Sequence, residues 1–191
     1  MDIKPIVLEG QHVRLEPLTL HHAAAFCEAG REWELTPEKV RDGIDSALRQ
    51  QAAGAALPFA TVEKFSGQLV GGTRFLHIVP EHRRLEIGST WIAQPWRRTA
   101  INTEAKFLML EHAFERLGCV RVEFVADALN EISRKAILRL GAKEEGRFRN
   151  YLVRAEGEIH DAVFYSIIES EWQSIRRRLQ GMLARCYDGD A

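Results

Sequence analysis

The chain has 191 residues, 46% of them hydrophobic and 28% charged, with a formal net charge of −1. That composition is ordinary for a soluble globular protein, and the length is enough for one domain over residues 1–191 with a full core. So balanced a charge supplies no field to gather nucleic acid or an anionic membrane, and neither partner is expected.

His12–Leu18 alternates Val13, Leu15 and Pro17 with polar residues, the period of a strand. Thr19 is placed to cap a helix from Leu20 to about Gly30. Thr36-Pro37-Glu38 combines a capping residue, a first-turn proline and an acid. The helix it opens reaches about Gly54, with Val40, Ile44, Ala47, Leu48 and Gln51 on one face. Leu57–Lys64 and Leu69–Val79 flank the turn Phe65–Gln68 and read as a hairpin. Arg84–Ala93 is the next strand, and its Gly88 suggests a bulge or a close backbone approach.

A long helix over Ala100–Leu117 closes at Gly118, and Cys119–Asp127 alternates as a strand. Strand, helix and strand with short joints make a parallel, right-handed crossover. Leu129–Ala142 holds a short helix ending at Gly141. Arg147–Ile168 is a second hairpin, turning at Glu156-Gly157, and a last amphipathic helix carries Trp172, Ile175, Leu179 and Leu183. The class is α+β, without repeats or linkers.

Cys27, Cys119 and Cys186 are odd in number, far apart and in no ligand spacing, and His21-His22 are helix neighbours, so no metal is expected. The opening MDIKPIVLEG lacks a basic region followed by an apolar run, and no stretch approaches the ~18 apolar residues of a membrane span. A cytoplasmic protein is expected.

The joint Gln94-Pro95-Trp96-Arg97-Arg98-Thr99-Ala100 places two guanidinium groups at the start of the long helix. A helix N-terminus offers unpaired N–H groups and a favourable dipole to an anion, which suits phosphate; a solvated basic turn is the alternative. The joint has neither the glycines nor the Lys-Ser/Thr pair of a P-loop.

Its context is more specific. Trp91-Ile92 before the turn, Asn102-Thr103-Glu104-Ala105, and His112-Ala113-Phe114 to Leu117-Gly118 occur in order. Arg121-Val122 to Asp127, Asn130-x-x-Ser133, Leu140-Gly141-Ala142 and Glu145-Gly146 follow. This set resembles the GNAT superfamily of acyl-CoA-dependent N-acetyltransferases, in the branch that includes the acetylases of ribosomal-protein N-termini. The resemblance implies a mixed, mostly antiparallel sheet of six to seven strands, splayed at a parallel pair and flanked by helices. It implies acetyl transfer from acetyl-CoA, as co-substrate, to a primary amine, either a protein N-terminus or a small molecule. Arg97, Arg98, Thr99, Ala100, Ile101 and Asn102 would hold the coenzyme pyrophosphate. Trp91, Ile92 and Ala93 would pair with the pantetheine arm as an added strand does, and Asn130 would bond the same arm. Where the family has Gly-x-Gly, this chain has Arg98-Thr99-Ala100. An arginine there requires near-helical backbone, since only positive φ demands glycine.

Ser133 matches a position that protonates the departing thiolate in parts of this branch, with Tyr151 and Tyr165 as other donors. Glu86, opening the strand that leads to the joint, is the candidate base through water. Glu104 reads as a first-turn acid favoured by the dipole. His160-Asp161 looks like a dyad, but adjacent strand residues point to opposite faces. Arg176, Arg177 and Arg178 read as a solvated helix face. The N-terminal helices and C-terminal hairpin would flank the acceptor, with Trp33, Glu34, Phe148, Arg149 and Tyr151 as lining residues. The family leaves a homodimer open, although no exposed apolar stripe is evident. The alternative is a non-catalytic acyl-CoA-binding or partner-binding module on the same fold.

Overall fold

Alternating apolar residues build one eight-stranded sheet in the order β1-β2-β3-β4-β5-β6-β8-β7, where six to seven strands were expected. The computed structural model describes all residues except 2, 35, 155, 156 and 188–191, and not the side chains of Trp33, Cys186 and Tyr187. The expected turn at Glu156-Gly157, the lining role of Trp33 and the Cys186 thiol therefore lie at least partly outside the described residues.

The unexpected strand is β1 (Leu8–Glu9), two residues against β2 (Val13–Pro17) and too short to show a period. β3 (Leu57–Glu63) and β4 (Leu69–Val79) form the expected hairpin, and β5 (Arg84–Ile92) joins β4 antiparallel. β6 (Arg121–Asp127) runs parallel to β5, and β8 (Ile159–Ile168) and β7 (Lys143–Val153) complete the sheet antiparallel.

The helices are α1 (Ala23–Ala29), α2 (Pro37–Ala52), α3 (Ala100–Glu111), α4 (Glu131–Leu140) and α5 (Glu169–Tyr187). Thr36 Oγ1 accepts the Lys39 N–H at 3.2 Å, as its capping position predicts. The first helix is split: Leu20–His22 is a 3₁₀ turn before α1. The long helix does not run unbroken to Leu117, because His112–Arg116 widens into a π turn. There the Leu117 N–H reaches back five residues to His112 O, and Phe114 stacks on Trp172 with ring centroids 5.4 Å apart.

Neighbouring strand residues supply opposite cores. Leu57, Phe59 and Phe75 join the larger one with Met109 and Leu110 of α3, while Ala60 joins Val40, Ile44 and Ala47 of α2 in a smaller one. Trp172, Ile175, Leu179 and Leu183 are buried on α5 as expected. Arg176 departs from its expected solvated face: it is half-buried and pairs with Glu111 at 3.0 Å and Glu115 at 3.4 Å. It lies one turn from both Trp172 and Leu179 on the stripe facing α3, whereas Arg177 and Arg178 are exposed.

Candidate active site

The parallel pair is short. Arg84, Leu85 and Glu86 pair with Arg121, Val122 and Glu123, and no further register connects β5 to β6. Beyond Glu86 the two strands part, each keeping only its antiparallel neighbour. The Ala93 N–H donates to Val70 O at 2.8 Å, on the β4 side. By alternation, Ile92 turns its N–H and C=O away from β4, toward the gap. Of Trp91, Ile92 and Ala93, the middle residue therefore presents backbone to an extended ligand.

Both chains leave the gap into helix N-termini. At α3 the Thr99 hydroxyl caps the Ile101 N–H at 3.3 Å, and the amides of Thr99, Ala100 and Asn102 precede the first helical hydrogen bond. Asn102 carries a buried Oδ1 with no hydrogen-bond partner among the described residues. Arg97 turns back from this end: its Nε donates to Ile92 O at 2.9 Å and its other nitrogen pairs with Glu32. Arg98 is exposed, and its backbone is not near-helical as an arginine there would prefer. It has φ 66°, the left-handed conformation that glycine adopts without strain.

At α4, Asn130 is the N-cap, and its Oδ1 accepts the Ser133 N–H at 3.0 Å. The amide nitrogen of Asn130 and the half-exposed hydroxyl of Ser133 remain at that end. The preceding loop is clamped by Asp127, which accepts from Leu129 N at 2.9 Å, His160 Nδ1 at 2.6 Å and Arg154 Nε at 3.0 Å. Burial raises the Asp127 pKa, but the bonds from His160 and Arg154 outweigh it and hold the carboxyl well below its usual range. The same bond to Asp127 raises His160. His160 thus has a carboxylate partner across strands, while Asp161 faces away to Arg147 Nε at 2.7 Å and the Asn150 N–H at 2.9 Å.

Glu86, at the last paired position of β5 before the gap, is buried, and burial, partly offset by His77, raises its pKa. His77 Nδ1 lies 2.8 Å from Glu86 Oε2, and the imidazole is 70% exposed, so the pair links a buried carboxyl to solvent. A Cβ at Gly88 would lie 2.7 Å from Glu86 Oε1, so the glycine makes room for the carboxylate. Just beyond, β5 bulges as Gly88 suggested: Ser89 and Thr90 together face Thr73, and Ser89 has φ 47°.

The remaining tyrosines lie elsewhere. Tyr165 is fully buried with its hydroxyl accepting from Arg134 Nε at 2.9 Å. Tyr151 is on β7, two strands removed from β6, half-exposed and packed edge-on against Phe148 and Phe164. With Phe148, Val153 and Ile159 it forms an exposed apolar patch on the terminal hairpin, a feature the strand's mixed sequence hid. Glu104 is not the first-turn acid expected: it lies past the first turn of α3, is buried and accepts the N–H groups of Gln11, His12 and Val13 at 2.7–2.8 Å.

Three residues that sequence reasoning passed over belong to this region. His77 gave no signal beyond its strand. Lys106 stands among Ala105, Met109 and Leu110 and is buried, with Nζ donating to Thr73 Oγ1 at 2.8 Å and Thr90 Oγ1 at 2.6 Å beneath the bulge. Arg74 shares a sheet face with Gly72 and Gly88 and lines a cavity between α2 and the sheet. Among the described residues no cluster of three His, Cys, Asp or Glu could hold a metal, and no helix is long and apolar enough to cross a membrane.

Residues 12–143 match the family model described as an acetyltransferase (GNAT) domain. The chain is 36% identical over 109 residues to YdaF of Bacillus subtilis, provisionally named a ribosomal N-acetyltransferase. That alignment takes in 57% of this chain and 58% of the relative, a little over half its length. A GCN5-related N-acetyltransferase from Brucella melitensis superposes with TM-score 0.87 at 29% identity, over 95% of this chain and 86% of that one. Mycobacterium smegmatis RimJ, solved with a coenzyme A disulfide, shares the fold with TM-score 0.77 at 24% identity, over 92% and 91% of the two chains.

Proposed function

This chain belongs to the GNAT acetyltransferase family, and from that premise we propose that it transfers an acetyl group from acetyl-CoA to a primary amine by direct attack within a ternary complex. The observation that carries this reading is the gap between β5 and β6, into which two capped helix N-termini open beside a buried carboxylate.

The residues present fit the coenzyme. Ile92 offers a strand-like N–H, its C=O being shared with Arg97, and the α3 amides with the Asn102 Oδ1 offer polar partners at the far end. Asn130 would contribute its amide nitrogen to the same arm. Arg97 orients this loop through Glu32, and Arg98 supplies an exposed positive charge beside it.

The bound thioester supplies the acetyl group; the chain supplies position and proton movement. Glu86 accepts a proton from the incoming ammonium, directly or through water, and passes it to solvent along His77. Its raised pKa keeps the acid and base forms closer in energy than for an ordinary glutamate. The Ser133 hydroxyl donates toward the leaving sulfur, and Tyr151 would serve only if β7 moved inward. The acceptor is a protein N-terminus or a small amine, the place of action the cytoplasm, and the hairpin patch a surface for a homodimer; light scattering tests the last.

Calorimetric titration with acetyl-CoA tests the reading. Folded wild type should bind with micromolar Kd, about −8 kcal/mol, and Asn130→Ala should bind more weakly. Absence of binding by the wild type would overturn it. Binding without thiol release on any amine would instead favour an acyl-CoA-binding module.

A further inference from the structure

The face of the sheet toward α2 holds a charge that no described residue neutralises. Arg74, on β4 directly opposite Gly88, is half-buried, and its guanidinium makes no hydrogen bond or ion pair among the described residues. Burial pushes its guanidinium pKa down. It lines a cavity of about 200 Å³ with Phe26, Gly43, Gly72, Ser89 and Trp91, and no acidic side chain among the described residues lines that cavity. Lys39, itself exposed, also lines it, so among the described residues the lining carries two cations and no anion. Removing a cation from water without a partner is unfavourable, and a site built that way is complemented by an anionic ligand.

Two further features mark the cavity as a place for a ligand. Gly43 is an interior residue of α2, where glycine weakens a helix. A Cβ there would meet nothing within 4 Å, so the position is open, and Gly43 lines the cavity. Phe26 and Trp91, with ring centroids 5.3 Å apart at 67°, form an aromatic wall, and Ser89 connects the cavity to the bulge. Glu86 is on the same face as Arg74, one same-face step along the ladder, since Arg74 opposes Gly88 and Leu76 opposes Glu86. That step is roughly 7 Å, within the reach of an arginine side chain.

We infer that Arg74 receives a carboxylate of the acceptor, whose amine, a few bonds away, is delivered to Glu86. The inference rests on the acetyl-transfer reading and adds a substrate class: amines that carry a nearby carboxylate, either free amino acids or peptides with an acidic residue beside the N-terminus. The planar fork of arginine suits bidentate capture of a carboxylate.

Matched acceptors differing only in that group provide the test. Free amino acids are compared with their carboxamides, and Ser-Glu-Ala-Ala-amide with Ser-Gln-Ala-Ala-amide, by thiol release from acetyl-CoA. Whichever of the two sources is used, the carboxylate member should have at least ~10-fold higher kcat/KM. In Arg74→Gln that preference should collapse to within about twofold through KM, with kcat and acetyl-CoA titration nearly unchanged. Arg74→Lys, keeping the charge but losing the fork, should retain part of it. Gly43→Leu, which fills the cavity, should raise acceptor KM alone. Equal turnover of carboxylates and amides by the wild type, or a preference that survives in Arg74→Gln, overturns the inference. So does a clear loss of thermal stability in Arg74→Gln, which would mark a structural arginine. If no compound is acetylated, the same panel is titrated calorimetrically. Carboxylate binding that vanishes with Arg74 sustains the inference while the transfer reading fails, and no such binding overturns it.

Discussion

Replacing Lys106 by methionine should make folding stability markedly less dependent on pH above neutrality. Burial lowers the Lys106 pKa from 10.5 to about 7. At 1.36 kcal/mol per unit, that displacement is about 5 kcal/mol against the charged form. The two bonds to Thr73 and Thr90 hold the ammonium in place but do not overcome that burial. The sign follows from proton counts: between the two pKa values the unfolded chain binds more protons, so stability rises with pH, and below about 7 the penalty is present in full. From about pH 7 to about pH 9.5 the wild type should gain about 3 kcal/mol on the methionine variant. The variant leaves no orphaned hydroxyl, because Thr73 and Thr90 bond each other at 2.9 Å and also reach Gly88 O. Near pH 7 it should therefore match or exceed the wild type. Urea unfolding followed by tryptophan fluorescence across this range measures the difference. A stability gap that stays constant with pH would show that Lys106 is not desolvated as its surroundings require.

Arg98→Gly relieves a left-handed arginine and should stabilise the protein by about 1 kcal/mol; an unchanged urea midpoint would contradict the strain. Gly88→Ala places a Cβ 2.9 Å from Leu76 Cδ1 as well as against Glu86, and should cost about 1–3 kcal/mol and displace the carboxylate. Glu86→Gln should lower kcat by about 10²–10⁴ and remove an acidic limb of the rate profile lying above the ordinary glutamate range. A limb that persists in Glu86→Gln would assign the base elsewhere. His160, whose folded pKa is raised by Asp127, contributes stability present below its unfolded pKa near 6.5 and lost as pH rises through the folded value. His160→Ala should flatten thermal stability across that window.

Elements with a clear period or a capping residue were legible before the fold was seen. The β3–β4 hairpin, α2 behind Thr36, the bulge beside Gly88 and the buried stripe of α5 all follow from local chemistry. What escaped was set by tertiary contact. β1 has two residues and exists only because β2 pairs with it. The left-handed backbone at Arg98 is imposed by the loop against the preference of its residue. At the site, Glu86 could be singled out from its strand position, yet its partner His77 is distant in sequence and joins it only across the β4–β5 ladder. Lys106 and Arg74 look like surface cations in a string of letters; their burial depends on which face of helix or strand they occupy.

A sheet that splits at its centre poses a mechanical difficulty that α3 resolves. Only three backbone pairs join β5 to β6, so the distance between the bulge and the α4 N-terminus is not held by the ladder. Polar side chains of α3 hold it instead. Glu104 accepts three amides at the start of β2, and Lys106 bonds the threonines under the bulge, on the β1–β5 half. Thr103, just before Glu104 in sequence, accepts from Arg139 of α4, and Glu111 accepts from Arg176 of α5, on the β6–β8 half. The helix whose N-terminus would carry the pyrophosphate is thus the bolt between the two walls. Buried charges are an unfavourable way to gain stability, but they fix geometry, and direct transfer depends on reacting atoms held about 3–3.5 Å apart. On that reasoning, removing Lys106 should leave a protein at least as stable near neutrality yet slower in kcat, because the bulge loses its anchor. Faster turnover with intact folding would show that the bulge holds its shape without the helix.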